Sequence, residues 1–120
     1  MTKKVTCVVD CGIVVNRLGA LNQIEGGIVD GVGHAMYGDF IFKDGKPGSD
    51  NFHNYQLIRM MQAPKVETHF IENNFSPTGL GEPTLPVAGG AVANAIKAAT
   101  GQRIYKQPFI KHLEMQEVIG

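Results

Sequence analysis

The chain has 120 residues, 43% of them hydrophobic and 18% charged, and its 11 basic and 11 acidic side chains cancel to a formal net charge of zero. That length suits one domain with one core, and the composition excludes a disordered chain. Dispersed, balanced charge excludes nucleic acid and anionic membranes as partners, and no apolar run is long enough for a membrane span, so a soluble protein is expected.

"KKVTCVVDCG" reads as a strand from about Lys3 to Val9, ended by Asp10 to Gly12. Cys7 and Cys11 would lie about 13 Å apart in extended chain, beyond the roughly 7 Å that a disulfide bridges, so both are read as free thiols. None of His34, His53, His69 and His112 stands at zinc-site spacing from them. Asn16 is positioned to cap a long helix, "RLGALNQIEGGIVDGVGHAMYG", that stops near Gly38. In it Leu18, Leu21, Ile24, Ile28, Val32, Ala35 and Met36 recur at steps of three and four, an apolar arc expected to face the core. Glu25 falls inside that arc, where a carboxylate needs a partner such as backbone amides or an arginine. Gln23, Gly27 and His34 project from the opposite side. Gly19, Gly26 and Gly33 stand seven apart and form a seam open to close approach by a backbone or a flat ligand.

"DFIFKDGKPGSDNF" predicts a strand, a tight turn at Asp44-Gly45 and a second extended piece. A less regular segment runs to Pro64, and an alternating strand follows in which Val66, Thr68 and Phe70 share a face. After "SPTGLGEPTLP", Val87 to Thr100 is expected to be a helix with Val92, Ile96 and Ala99 inward, Pro86 in its first turn and Gly101 past its end. "RIYKQPF" reads as a short strand or extended cap, and "IKHLEMQEVIG" as one or two helical turns. Strands and helices interleave, so the expected class is α+β: a mixed β-sheet packed against one long and one medium helix.

Glu82 is the unusual carboxylate. It follows Gly79-Leu80-Gly81 and precedes Pro83, so a tight turn fixes its direction just before a helix. Such a turn presents a catalytic group, and it equally carries a solvated glutamate; spacing alone leaves both readings open.

Four blocks, "VVDCGIVVN", "QIEGGIVDGVGHAMYGD", "NFHNYQLIRMMQAP" and "GLGEPTLPVAGGAVANAIKAATGQRI", follow one another over nearly the whole chain. In this order they resemble the C-terminal portion of the molybdenum-cofactor-binding subunit of the molybdenum hydroxylases, the family of xanthine dehydrogenase and aldehyde oxidase. The isoquinoline 1-oxidoreductase β-subunit type is the nearest pattern. The resemblance implies that residues 1–120 form a single domain, a fragment of a longer subunit. It implies a molybdenum-pterin cofactor, as molybdopterin or its cytosine dinucleotide form, held only by the complete subunit. It makes Glu82 the active-site base, taking a proton from a metal-bound hydroxyl whose oxygen attacks an aldehyde or N-heterocycle. Gln23 would contact the pterin, and Gly79, Leu80 and Gly81 would bring backbone near the metal ligands. No side chain here is expected to ligate the metal, and Glu25, Arg59 and the Asn51-Phe52 pair match the pattern without an assigned role.

The implied partners are the remainder of the subunit, an iron–sulfur subunit or domain, and a small aldehyde or N-heterocycle. Cytoplasm and periplasm both stay open as compartments. The chain departs from the pattern at Asn16-Arg17, where the family carries Asn-Pro, and in a tail from about Phe109 to Gly120 that runs further. Alone, the chain is expected to be inactive. The alternative is a non-catalytic interaction module that docks on a larger partner subunit.

Overall fold

A computed structural model describes residues 2–113 of the chain. In chain order its elements are β1 (Lys4–Val9), α1 (Arg17–Tyr37), β2 (Phe42–Lys43), β3 (Lys46–Pro47), β4 (Lys65–Phe70) and α2 (Leu85–Thr100), with single 3-10 turns at Met60–Gln62 and Phe109–Lys111. The valine-rich β1 pairs in parallel with the alternating β4, in register from Lys4 against Lys65 to Val9 against Phe70. β2 and β3 form a separate antiparallel hairpin. Its turn residues Asp44 and Gly45 have φ of 52° and 74°, the left-handed pair that a two-residue hairpin needs. Parallel and antiparallel pairing are therefore both present, divided between two small sheets.

Asn16 caps α1: its side chain accepts from the amide of Gly19 at 2.9 Å. Ile24, Ile28, Val32, Ala35 and Met36 are buried, Ile24 completely, and they meet Ala88 and Val92 of α2, Val9 of β1, Ile104 and Phe109. Burial fades toward the N-terminal end of α1. Leu21 is half-buried, Leu18 is 71% exposed and Glu25 is exposed, contrary to the arc drawn from spacing. Glu25 shares a helical sector with Val32 and Met36, but that sector is covered only further along the helix. Its carboxylate is thus solvated and requires no buried partner.

The glycine seam is also redistributed. Nothing lies within 4 Å of a side chain at Gly26, and Gly19 faces only its own cap Asn16. Of the seam only Gly33 is closely approached, with Ile58 Cγ2 2.9 Å from where its Cβ would stand; the other close approaches fall at Gly27 and Gly31, where α2 crosses: a Cβ on Gly31 would stand 2.6 Å from the carbonyl oxygen of Leu85 and 2.7 Å from Cβ of Ala88. α2 begins two residues before Val87, with Pro86 in its first turn, and ends at Gly101 in the left-handed conformation. Val92 is buried and Ile96 half-buried as expected, whereas Ala99 is exposed because the last turn runs past the core. Residues 101–108 form no strand. The turn at Phe109–Lys111 accounts for the start of the expected C-terminal helix, and Glu114 onward lies outside the described residues. Cys7 and Cys11 are both free, and burial pushes the Cys7 thiol above its ordinary pKa.

Candidate functional site

The loop that carries Glu82 leaves the carboxyl end of β4 and is sewn to the chain that leaves β1. The amide of Ile71 donates to the Val9 carbonyl at 2.8 Å, that of Ile13 to Phe75 at 3.1 Å and that of Thr78 to Cys11 at 3.0 Å. Asp10 joins in by accepting from the side-chain amide of Asn73 at 2.7 Å and from the amide of Gly12 at 3.3 Å. Gly12 sits at the crossing with φ of 69°, and a Cβ there would collide with the Phe75 and Ser76 carbonyls. Only glycine meets both demands. "VVDCG" was legible as the end of a strand; its second task, anchoring a segment more than 60 residues later, left no local signal.

That anchoring carries residues 76–84 along the flank of α1. The side-chain amide of Gln23 donates to the Leu80 carbonyl at 3.5 Å, so the polar face of α1 and the Gly-Leu-Gly turn meet. Beside them a cleft of about 220 Å³ is lined by Cys11, Asn16, Ala20, Gln23, Thr78 and Leu80, among others. The turn is then pinned from its far end. Thr84, 4% exposed, donates its hydroxyl to the Ile24 carbonyl at 3.4 Å, filling the space that Gly27 leaves open. Sequence reasoning passed over Thr84. Its signal was the Gly27/Gly31 spacing, which marks where a second element crosses the helix.

Glu82 lies between these two anchors and outside the lining of the cleft. Its carbonyl accepts from the amide of Leu85 at 3.3 Å, which opens α2, while its side chain is exposed. Among the described residues nothing bonds to or pairs with that carboxylate. Gly79 and Gly81 are exposed as well, neither has a positive φ, and nothing of this chain would meet a Cβ at either. The glycines flanking Leu80 are therefore not demanded by the turn, as the sequence suggested; they leave one side of it bare. Of the expected site residues, Gln23 and Leu80 touch, Gly79 and Gly81 flank them, and Glu82 projects outward beyond.

The described residues hold no cluster of three or more His, Cys, Asp or Glu suited to a metal ion. His34 and His69 face only Asp30 and Glu67, at 3.5 and 3.1 Å. Glu67, on β4, is held below the usual carboxylate range by its hydrogen bond to and charge attraction from Lys4, and then by His69. No described helix is long and apolar enough to cross a membrane.

Comparison with known proteins adds the lineage. Residues 1–64 match the molybdopterin cofactor-binding domain. The isoquinoline 1-oxidoreductase subunit beta of Brevundimonas diminuta is 32% identical over 105 residues, 88% of this chain and 13% of that protein. The xanthine dehydrogenase molybdenum-binding subunit of Escherichia coli O157:H7 is 33% identical over 106 residues, 82% of this chain and 14% of its own. The crystal structure of quinoline 2-oxidoreductase from Pseudomonas putida 86 superposes over 85% of this chain and 14% of that one, with a TM-score of 0.74 and 24% identity, and so shares the fold. The chain spans about 14% or less of the length of these relatives. With a matched domain over half its length and relatives near one-third identity, the chain belongs to the molybdopterin cofactor-binding domain family of the molybdenum hydroxylases.

Proposed function

We propose that this chain is the C-terminal cofactor-contacting segment of an oxidoreductase that hydroxylates aldehydes or N-heterocycles with water-derived oxygen, and that Glu82 is its general base. The observation that carries the proposal is the contact between Gln23 and the Leu80 carbonyl beside a turn whose glycine flanks are bare. A molybdenum-pterin group fits these residues: its mixed polar edge calls for amide and main-chain donors and acceptors, and its bulk calls for a surface without side chains. When bound, it would supply the two-electron oxidation and the activated oxygen.

The chain's own residues do the rest. The Gln23 side-chain amide gives one of its two N–H groups to Leu80 and keeps the other, with its carbonyl oxygen, for the pterin edge. Thr84 and the Gly12 crossing hold the turn between them, so that Glu82 is aimed by backbone and not by its own flexible side chain. Its carboxylate oxygen accepts the proton released as the oxygen nucleophile attacks. Assistance of that kind contributes about 10²- to 10⁴-fold. Substrate class is supported by the named substrates of the relatives, isoquinoline, quinoline and xanthine, which are N-heterocycles, and by the resemblance to aldehyde oxidases.

The described residues build no pocket in front of Glu82, so the proposal includes inactivity of the chain alone. It also includes its partners: the remainder of the molybdenum subunit and an iron–sulfur subunit or domain that carries the electrons away. The second reading, a docking module without catalysis, is favoured by the amount of exposed apolar side chain, with Phe40, Phe42, Phe52 and Phe75 all more than half exposed. Both readings predict association with a larger body. Glu82→Gln separates them: in the assembled subunit the enzyme reading expects bound cofactor and lost turnover, and retained turnover refutes the base assignment.

A further inference from the structure

We propose that the free edge of β1 receives a third strand, donated by the part of the molybdenum-binding subunit that lies outside this chain. The inference rests on family membership and is independent of the roles given to Glu82 and Gln23. Among the described residues β1 is bonded on one side only, to β4. The carbonyls of Lys3 and Val9 accept from the amides of Lys65 and Ile71 at 3.0 and 2.8 Å, which turns the odd-numbered main-chain groups toward β4. By the two-residue repeat of a strand, the N–H and C=O groups of Lys4, Thr6 and Val8 point the other way.

Along β1 and α2 runs an apolar groove of about 380 Å³. β1 forms one wall, Val87, Ala91 and Ala95 of α2 the other, and Ile28 and Val32 of α1 the floor. No residue of β4 lines it, so it opens on the unpaired side of β1. The alanines keep the α2 wall low enough for a backbone to pass. From Val87 to Ala95 the helix advances about 12 Å, the length of roughly four residues of extended chain. A parallel pair standing alone is itself incomplete, since parallel sheets are stable when extended and covered.

Two observations identify the donor. The relatives are about seven times longer than the matched segment. The groove is also left uncovered among the described residues: Val8 on its β1 wall and Val87 on its α2 wall are 63% and 60% exposed, apolar side chains that a larger body would bury. The occupant is then an extended segment of that larger body, apolar on the side that meets Val87 and Ala91.

The test uses the Brevundimonas diminuta β-subunit with its matching segment replaced by this chain, and the same two pieces co-expressed as separate polypeptides. Amide hydrogen exchange is read at β1, with Val5 and Cys7, which face β4, as the internal reference. Assembly is expected to slow the Thr6 and Val8 amides about 100-fold relative to the chain alone, in line with their entering a cooperative sheet. Ala91→Glu, at an exposed position on the groove wall, should abolish that protection at both amides, and Thr6→Pro, which removes an edge N–H without touching the β4 ladder, should abolish it at Val8. Lys43→Glu in the hairpin should leave it intact. Thr6 and Val8 amides that still exchange freely in the assembly overturn the proposal. So does a chain that protects them alone by pairing with a second copy, and so does failure of both arrangements to assemble. An assembly with a protected edge whose Glu82→Gln form still turns over sinks the base assignment and leaves the edge standing; an unprotected edge with an inactive Glu82→Gln form does the reverse.

Discussion

Gly26 and Gly31 stand five residues apart on α1 and should answer the same added methyl group in opposite ways. At Gly26 the helix surface is bare, so Gly26→Ala removes only backbone freedom from the unfolded chain and should stabilise by about 0.5–1 kcal/mol. At Gly31 the methyl would meet the Leu85 carbonyl and the Ala88 side chain, both fixed in α2. Gly31→Ala should therefore destabilise by about 1–3 kcal/mol, the usual range for overpacking. Urea midpoints of the two variants check the pair; equal shifts would mean that α2 does not cross here. The spacing of the glycines was visible in the sequence, but which of them mattered was not, because that depends on where another element lands. Glu25 teaches the same lesson. Spacing gives its sector and not its burial, since periodicity sets direction around a helix and says nothing of how far along the covering extends.

At the scale of elements, β1 and β4 are joined by a ladder and by a small ionic cluster on its outer face: Lys4, Glu67 and His69. Glu67 has a lowered folded pKa, caused first by Lys4 and then by His69. A depressed carboxylate stabilises the fold fully above its unfolded value, roughly 4.3, and loses that contribution as pH falls through the lower folded value. Wild type should therefore lose more stability than Glu67→Gln between pH 6 and pH 3. Added salt should narrow the gap, because the cluster is solvated. Denaturation at the two pH values measures it, and parallel losses would show that the cluster is ornamental to the ladder. The elements themselves were largely legible. A valine-rich run marked β1, the alternation of Val66, Thr68 and Phe70 marked β4, Asn16 marked the start of α1, Asp44-Gly45 marked the hairpin turn, and Pro86 with Gly101 bracketed α2. What local pattern could not supply was pairing: nothing in β1 announces that its partner is β4, or that the hairpin forms a sheet of its own.

The whole molecule is an open body, 49 × 43 × 25 Å, with a radius of gyration of 16.9 Å, whereas a compact chain of this length has about 13.6 Å. Such a shape fits the proposal that a larger body covers this chain, and it bears on function directly. The purified chain should contain no stoichiometric molybdenum or pterin and should not oxidise aldehydes, measured by metal analysis and released pterin; full cofactor with activity would sink the claim that the site is completed elsewhere. The four blocks in order singled out Gln23 and the Gly-Leu-Gly turn as candidates, but that the two touch was not legible in them. Nor were the anchors that hold the turn, since Gly12 and Thr84 act on partners more than 50 residues away in the chain. Turnover per bound molybdenum in the assembled subunit carrying Glu82→Gln tests the proposed base most directly. Molybdenum should stay at the wild-type level with turnover per metal reduced about 10²-fold or more. Wild-type turnover per metal would contradict a general base at Glu82.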